Sequence, residues 1–340
     1  MATNSETNGH SRVEPVERKV QLTGGSTYTV SLPKAWADQQ QIEAGCPVNL
    51  YPAEDQLVVT RRERTVEENP HDTSIAADKY DTVALVSTIE SMYTAGRDLI
   101  RIERIDETAK RRAVTKAVRQ FVGLEIVSES ERRLVAKSLL DVEKLTPEQT
   151  LEQLKRASQE VHREAIEAIV GSGGSNIHVC RHIETIDRLC ALHSRRFQWS
   201  SADPSTMANG DQTSHMVSYL VAVQLKRIAE HAARIAALAD RFERSPDQDV
   251  PVTLEAFDES ARALLDRAVS GVLERAANPG SVLVDANSLL AEIAPQDGRC
   301  DRTRGDGGSS LGLALEVIAH TITRCIDIVT AELREQYRID

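Results

Sequence analysis

Leu225-Lys226-Arg227-Ile228-Ala229-Glu230-His231-Ala232-Ala233-Arg234-Ile235-Ala236 decides how most of this chain folds. Leu225, Ile228, Ala232, Ile235 and Ala239 step by three and four, which gathers them into one apolar stripe on a helix. Lys226 and Glu230 fall off that seam. The same period appears on both sides of the segment. Upstream, Thr146-Pro147-Glu148-Gln149 is a helix start: a Thr N-cap, Pro at the first helical position, and Gln three residues on. Leu151, Leu154, Val161, Ala165 and Ile169 continue it. Gly171–Ser175 breaks the pattern. Further helices are expected over Asn176–Gln198, Thr213–Phe242, Leu254–Ala277, Ser281–Ile293 and Leu311–Arg338. Between them lie polar loops at Ser200–Gln212 and Pro246–Pro251, and a Gly- and Asp-rich, mobile stretch at Pro295–Ser309. Six helices in two sets of three read as two bundles, 146–243 and 251–340.

Working back towards the N-terminus, the period changes. Residues 80–143 alternate helix and strand: helices over Thr82–Ala95 and Asp106–Val122, each stopped by a glycine, and short strands at Leu99–Ile102, Leu124–Val127 and Leu134–Ala136. This is a small α+β module. Residues 63–79 are charged and polar, contain Pro70, and read as a linker. In residues 15–62, strands are expected at Val16–Thr23 and Ser26–Leu32 around Gly24-Gly25, then a short helix from Pro33 to Gln40. Two more strands, Pro47–Tyr51 and Gln56–Thr60, flank the Ala53-Glu54-Asp55 turn. Such a unit has a thin core and ordinarily dimerises to bury its apolar face. Residues 1–14 are polar and read as a disordered tail.

Composition narrows the function. The net charge is −11 and the pI about 5.4, so any contact with DNA must be local. Aromatics are 4% of residues, which suits aliphatic helix packing better than a ring-lined ligand cavity. Cys46, Cys180, Cys190, Cys300 and Cys325 are scattered, odd in number and never in a CxxC pair, as expected of reduced cytosolic thiols. No apolar run is long enough to span a bilayer. The expectation is a cytoplasmic protein without membrane insertion.

Several polar patterns invite a chemical reading. Lys226–Glu230 and Glu230–Arg234 are each four apart and bridge on a helix surface. Glu316 and His320 share that spacing and could chelate one divalent ion, with Arg324 one turn further opposing it. His178 and His182 share a face, but Cys180 points elsewhere and no fourth ligand closes a zinc site. Gly171–Ser175 lacks the Lys-Ser/Thr of a phosphate-cradling loop. Arg111, Arg112, Lys116 and Arg119 make a basic stripe on one helix, read first as a solvated face and after that as a DNA contact or another anion site. No nucleophile–base pair, cofactor loop or close carboxylate dyad is present, so a regulator is expected rather than an enzyme.

Two stretches resemble known families. Arg18-Lys19-Val20-Gln21-Leu22, followed by Gly24-Gly25-Ser26-Thr27-Tyr28-Thr29-Val30-Ser31-Leu32-Pro33-Lys34, resembles an AbrB/SpoVT-type swapped-hairpin domain. The resemblance implies two chains interlacing hairpins into one dimer, with Arg18, Lys19 and Lys34 towards DNA. The Leu225–Ala236 segment resembles the PhoU signature, and Leu315-Glu316-Val317-Ile318-Ala319-His320 looks like a second, degraded copy. Glu184-Thr185-Ile186-Asp187-Arg188-Leu189 also fits that family's pattern. The domain order is similar to that of archaeal PhoU-type regulators. The likeness implies a regulator of phosphate uptake and intracellular phosphate homeostasis. It would act as a homodimer on DNA or, alternatively, dock as an adaptor on a phosphate ABC transporter ATPase or a signalling partner. The family's acidic metal motifs point to Glu184, Asp187, Glu230, Glu316 and His320 as candidate ligands of a divalent metal ion. Lys226, Ile183 and His320 stand where the family has acids, which removes much of the anionic shell that a cluster of cations needs. The expected fold class is therefore multidomain α+β: a swapped-hairpin β domain, a small α+β module, and a PhoU-like pair of three-helix bundles.

Overall fold

A computed structural model describes residues 15–52, 56–61, 72–139, 146–170, 176–204, 206, 211–239, 252–274, 279–300 and 310–337. The expected tail, the Ala53–Asp55 turn, the Gly171–Ser175 break, the Pro246–Pro251 loop and the whole 63–71 stretch lie outside them. The chain divides into two compact units, Met1–Val66 and Glu67–Asp340.

The first unit contains two separate hairpins. Strands β1 (Gln21–Thr23) and β2 (Thr27–Thr29) pair antiparallel, with Leu22 opposite Tyr28. Gly24 and Gly25 both take left-handed backbone angles in the turn, a conformation that a side chain would strain. A short helix α1 (Lys34–Gln39) follows, and β3 (Val48–Pro52) pairs with β4 (Leu57–Arg61). The hairpins form two distinct two-stranded sheets. None of the described residues in this unit is buried. An isolated hairpin is marginal in water, so the described hairpins have no buried core of their own to hold them together.

The second unit begins with a four-stranded sheet, order β5-β6-β8-β7. Strand β5 (Asp72–Ala76) runs parallel to β6 (Leu99–Glu103). Strand β8 (Arg133–Ser138) pairs antiparallel with both β6 and β7 (Leu124–Ser130). Helices α2 (Thr82–Thr94) and α3 (Thr108–Gln120) complete the module. Asp81 caps α2, accepting from the Ala84 N–H at 2.8 Å. Strand β5 corrects the expected linker over 63–79. Its sequence, Asp-Thr-Ser-Ile-Ala, has a single large apolar residue, and its backbone order comes from the ladder to β6. Ile75, Leu85, Ile89, Tyr93, Ile100, Ile102, Val114, Leu124 and Leu134 form the module's core.

The six long helices are α4 (Pro147–Val170), α5 (Asn176–Ala202), α6 (Asp211–Ala239), α7 (Val252–Glu274), α8 (Gly280–Cys300) and α9 (Ser310–Gln336). Thr146 caps α4 as expected, accepting from the Gln149 N–H at 3.3 Å. Helices α5 and α8 outrun their expected ends. Pro295 falls inside α8 instead of opening a loop: an interior proline costs about 3 kcal/mol in a lost hydrogen bond and a clash, and buried Val282, Ala286, Leu289 and Ile293 anchor the turns before it. Helices α4, α5 and α6 pack on one another, as do α7, α8 and α9, and α9 also packs on α4 and α6. All six contribute to one continuous buried cluster.

Arg195 joins the helices to the module. It sits on α5 and is 1% exposed. Its Nη1 donates to the carbonyls of Tyr93 (3.0 Å) and Arg97 (2.8 Å), and its Nη2 pairs with Asp98 at 2.5 Å. The guanidinium also lies over the Tyr93 ring, 5.1 Å from its centroid. These bonds close the C-terminal end of α2, while Ala191 of α5 enters the module's core. Removing one partner of a buried, hydrogen-bonded charge pair costs about 3–5 kcal/mol. Arg195→Ala is therefore expected to lower the unfolding free energy by about that amount in urea titration, with Arg195→Lys recovering only part because one ammonium cannot reach all three acceptors.

Candidate functional site

The N-terminal candidates sit where the hairpin leaves them in solvent. Arg18 and Lys19 precede β1 with only Val20 between, and Lys34 is the first residue of α1; all three are exposed. Arg18 donates only to the neighbouring Glu17 carbonyl, at 3.0 Å. Arg61, by contrast, is tied to Gln40 and Gln41 and so fixes α1 to β4. On the hairpin itself, Val20, Leu22, Tyr28 and Val30 lie on one face and are each more than half exposed, Tyr28 at 77%. Leu50 and Leu57 are exposed on the second hairpin. Among the described residues, the unit thus presents exposed cations and an apolar stripe that nothing covers.

In the helical unit, the candidate metal ligands divide into two groups. Asp187 on α5 and Glu230 on α6 both face Lys226, whose ammonium is 2.7 Å from one and 3.6 Å from the other. The lysine supplies in place the positive charge that a cation would bring. Burial alone would lower the Lys226 pKa, but the Asp187 hydrogen bond and the flanking charges outweigh it and hold the ammonium above its usual range. Glu184 is exposed on α5 with no contact to this trio among the described residues.

Glu316 and His320 belong to a second cluster, where α6 crosses α9. The His231 and His320 rings stack, centroids 4.0 Å apart and planes 16° apart. His231 Nε2 lies 3.6 Å from Glu316, and Arg234 donates to His231 Nδ1 at 3.1 Å. Burial, then the neighbouring His231 and Arg324 charges, push His320 down to about 4. Burial also lowers His231, although Glu316 pulls the other way. Both rings are therefore neutral at pH 7. Among the described residues, no group of three or more His, Cys, Asp and Glu side chains is placed to hold a metal ion.

Other polar side chains carry helix contacts that the sequence did not single out. His162 on α4 is buried and hydrogen-bonds Asp258 on α7 at 2.7 Å and Thr321 on α9 at 3.0 Å, linking three helices. Burial raises the Asp258 pKa, but His162 and Arg262 outweigh it and hold the carboxyl below its usual range. The trio superficially resembles a hydroxyl–imidazole–carboxylate relay, yet Thr321 is as buried as His162 and bonds the Val317 carbonyl of its own helix. It fastens helices and offers no exposed nucleophile. Lys155 bridges α4 to α7 through Asp266 at 2.6 Å, and His193 on α5 meets Thr150 on α4 at 3.0 Å. His162 and Arg195 shared one usable signal: each sits at a stripe position, between Val161 and Ala165 and between Leu192 and Trp199. A polar side chain in an apolar stripe marks burial with a dedicated partner. The His178 and Cys180 side chains lie outside the described residues.

Residues 21–66 match a protein-family model described as antidote-toxin recognition MazE, bacterial antitoxin. No curated protein and no solved structure matches the chain. No helix among the described residues is long and apolar enough to cross a membrane.

Two outcomes follow for the helical unit. His193, His231 and His320 all bind protons more weakly in the folded chain than the 6.5 of a free imidazole, His193 at about 3 because of its burial. Unfolding therefore takes up protons below about pH 6.5, so stability is full above that pH and falls as pH drops towards 4. Urea midpoints measured from pH 7.5 to pH 5 are expected to decline, and His320→Gln to flatten the decline. Separately, Lys226→Glu replaces the bridging ammonium with a third carboxylate beside Asp187 and Glu230. Its melting temperature is expected to rise with millimolar Mn²⁺ or Mg²⁺ by more than that of the wild type, as read by calorimetry.

Proposed function

We propose that this protein is a dimeric DNA-binding regulator that works without catalysing a reaction, and that the process under its control is phosphate uptake and intracellular phosphate homeostasis. The match of residues 21–66 to MazE antitoxins carries the first part. Domains of the MazE/AbrB type are typically dimeric and DNA-binding. Two further features support that reading: the uncovered stripe of Val20, Leu22, Tyr28 and Val30, which a second hairpin can cover, and the exposed Arg18, Lys19 and Lys34, which pairing doubles. In a chain of charge −11, a doubled local cluster is how DNA is met without a basic surface overall. The phosphate part rests on the likeness of Leu225–Ala236 to the PhoU signature. The helical body then receives the cellular signal and the N-terminal dimer delivers it to DNA.

One observation favours a second reading. From Arg12 to Arg64, seven cations face seven acids, a balance unusual for a DNA-binding surface. On that reading the hairpins only clamp the dimer. The helical body docks on a phosphate ABC transporter ATPase or its signalling partner.

Chromatin immunoprecipitation of the tagged protein from phosphate-replete and phosphate-starved cells separates the two. The regulator is expected to enrich promoters of phosphate-transport genes, and Arg18→Ala/Lys19→Ala to abolish the peaks. Absence of enrichment in both conditions would leave the adaptor.

A further inference from the structure

Helix α3 carries five cations, Lys110, Arg111, Arg112, Lys116 and Arg119, and no acid. In a chain with eleven more acids than bases this is a local inversion of charge. Around it, four arginines are paired. Arg101 meets Asp72, Arg104 meets Asp78, Arg132 meets Asp106 and Arg133 meets Glu103. On the helix itself, Lys110 pairs with Glu107. Arg111 pairs with Glu129 at 2.8 Å and also donates to the Ser130 and Glu131 carbonyls, which clamps α3 to the β7–β8 turn. Its role is structural, and it leaves the basic stripe.

Arg112, Lys116 and Arg119 are different. All three are exposed, and none makes an ion pair or hydrogen bond among the described residues. Their spacing of four and three puts them on one face, opposite the buried Val114, Ala117 and Val118. Like charges so placed repel one another, and a polyanion relieves that repulsion. The remaining exposed side chains of the helix are Thr108, Ala109 and Gln120. The face therefore offers no aromatic or large aliphatic anchor of the kind that protein interfaces are built on. A nucleic-acid backbone asks for cations and little else. At 1.5 Å of rise per residue the stripe is about 10 Å long, which covers some three nucleotides at about 3.4 Å each.

We propose that Arg112, Lys116 and Arg119 form a second contact with the DNA backbone, separate from the N-terminal hairpins and indifferent to base sequence. The proposal rests on the reading of the chain as a DNA-binding protein. It assigns to the α+β module a share of the affinity, while the hairpins retain any reading of bases.

The test is the salt dependence of binding to a mixed-sequence DNA duplex, measured by fluorescence anisotropy with the full-length chain. Three proteins are compared: wild type, Arg112→Gln/Lys116→Gln/Arg119→Gln, and Arg18→Ala/Lys19→Ala. Removing one cation from a DNA phosphate makes the slope of log K against log salt shallower by about 0.9, so the slope of the triple variant is expected to fall by about 2.7 for each copy that touches DNA. Its melting temperature should match that of the wild type, since the three side chains are exposed and unpaired. The N-terminal variant should keep a residual slope. A triple variant with the wild-type slope would overturn the α3 contact and leave the DNA reading standing. A wild-type chain without salt-dependent DNA binding would overturn both.

Discussion

Apolar side chains have to be covered, and the two units of this chain meet that constraint in opposite ways. In Glu67–Asp340, six helices close over one continuous cluster and a four-stranded sheet closes over another. Arg195 then binds the two together through the Tyr93 and Arg97 carbonyls at and just beyond the end of α2. In Met1–Val66 the hairpins bury nothing among the described residues. Burying one Leu- or Val-sized side chain is worth about 1.5–3 kcal/mol, so covering Val20, Leu22, Tyr28 and Val30 is a substantial driving force that the unit leaves unused on its own. On the proposed reading, what covers that stripe sets how many copies of the chain act together, and hence how many Arg18–Lys19 pairs face DNA.

Polar groups in the helical body serve mostly to choose which helices meet. His162 connects α4, α7 and α9; Lys155 connects α4 and α7; Lys226 connects α5 and α6. The stacked His231 and His320 mark the crossing of α6 and α9, which is one of the places where the two sets of three helices touch. Their lowered proton affinity makes that crossing sensitive to acidification, while the aliphatic cluster beneath it is not.

The helical stripes were plain in the sequence because burial imposes a period. Leu225, Ile228, Ala232 and Ile235 are buried as their spacing required, and the Thr146 cap is where its side chain says it should be. The positions of the acidic candidates on their helices could be read the same way. What could not be read was their company. Lys226 showed only that an acid was missing, whereas the fold brings its ammonium between Asp187 and Glu230 across two helices. Strand β5 is not legible in the sequence because its order comes from a parallel neighbour 27 residues on, Asp72 opposite Leu99, and its own five residues carry little strand signal. The role of Arg195 is not legible in the sequence because an arginine in a helix is ordinarily solvated. Its three acceptors lie about 100 residues away in sequence and come together only in the fold.

The claim on which the account turns is that the N-terminal stripe is covered by the same stripe of a second chain. Sedimentation equilibrium of the full-length protein over a range of concentrations tests it directly, with Leu22→Asp/Val30→Asp as the comparison. The account predicts a wild-type mass twice that of the 37.5 kDa chain, and a variant that sediments as a single chain while its helical unit melts at an unchanged temperature. A wild-type protein at the mass of one chain throughout that range would contradict it.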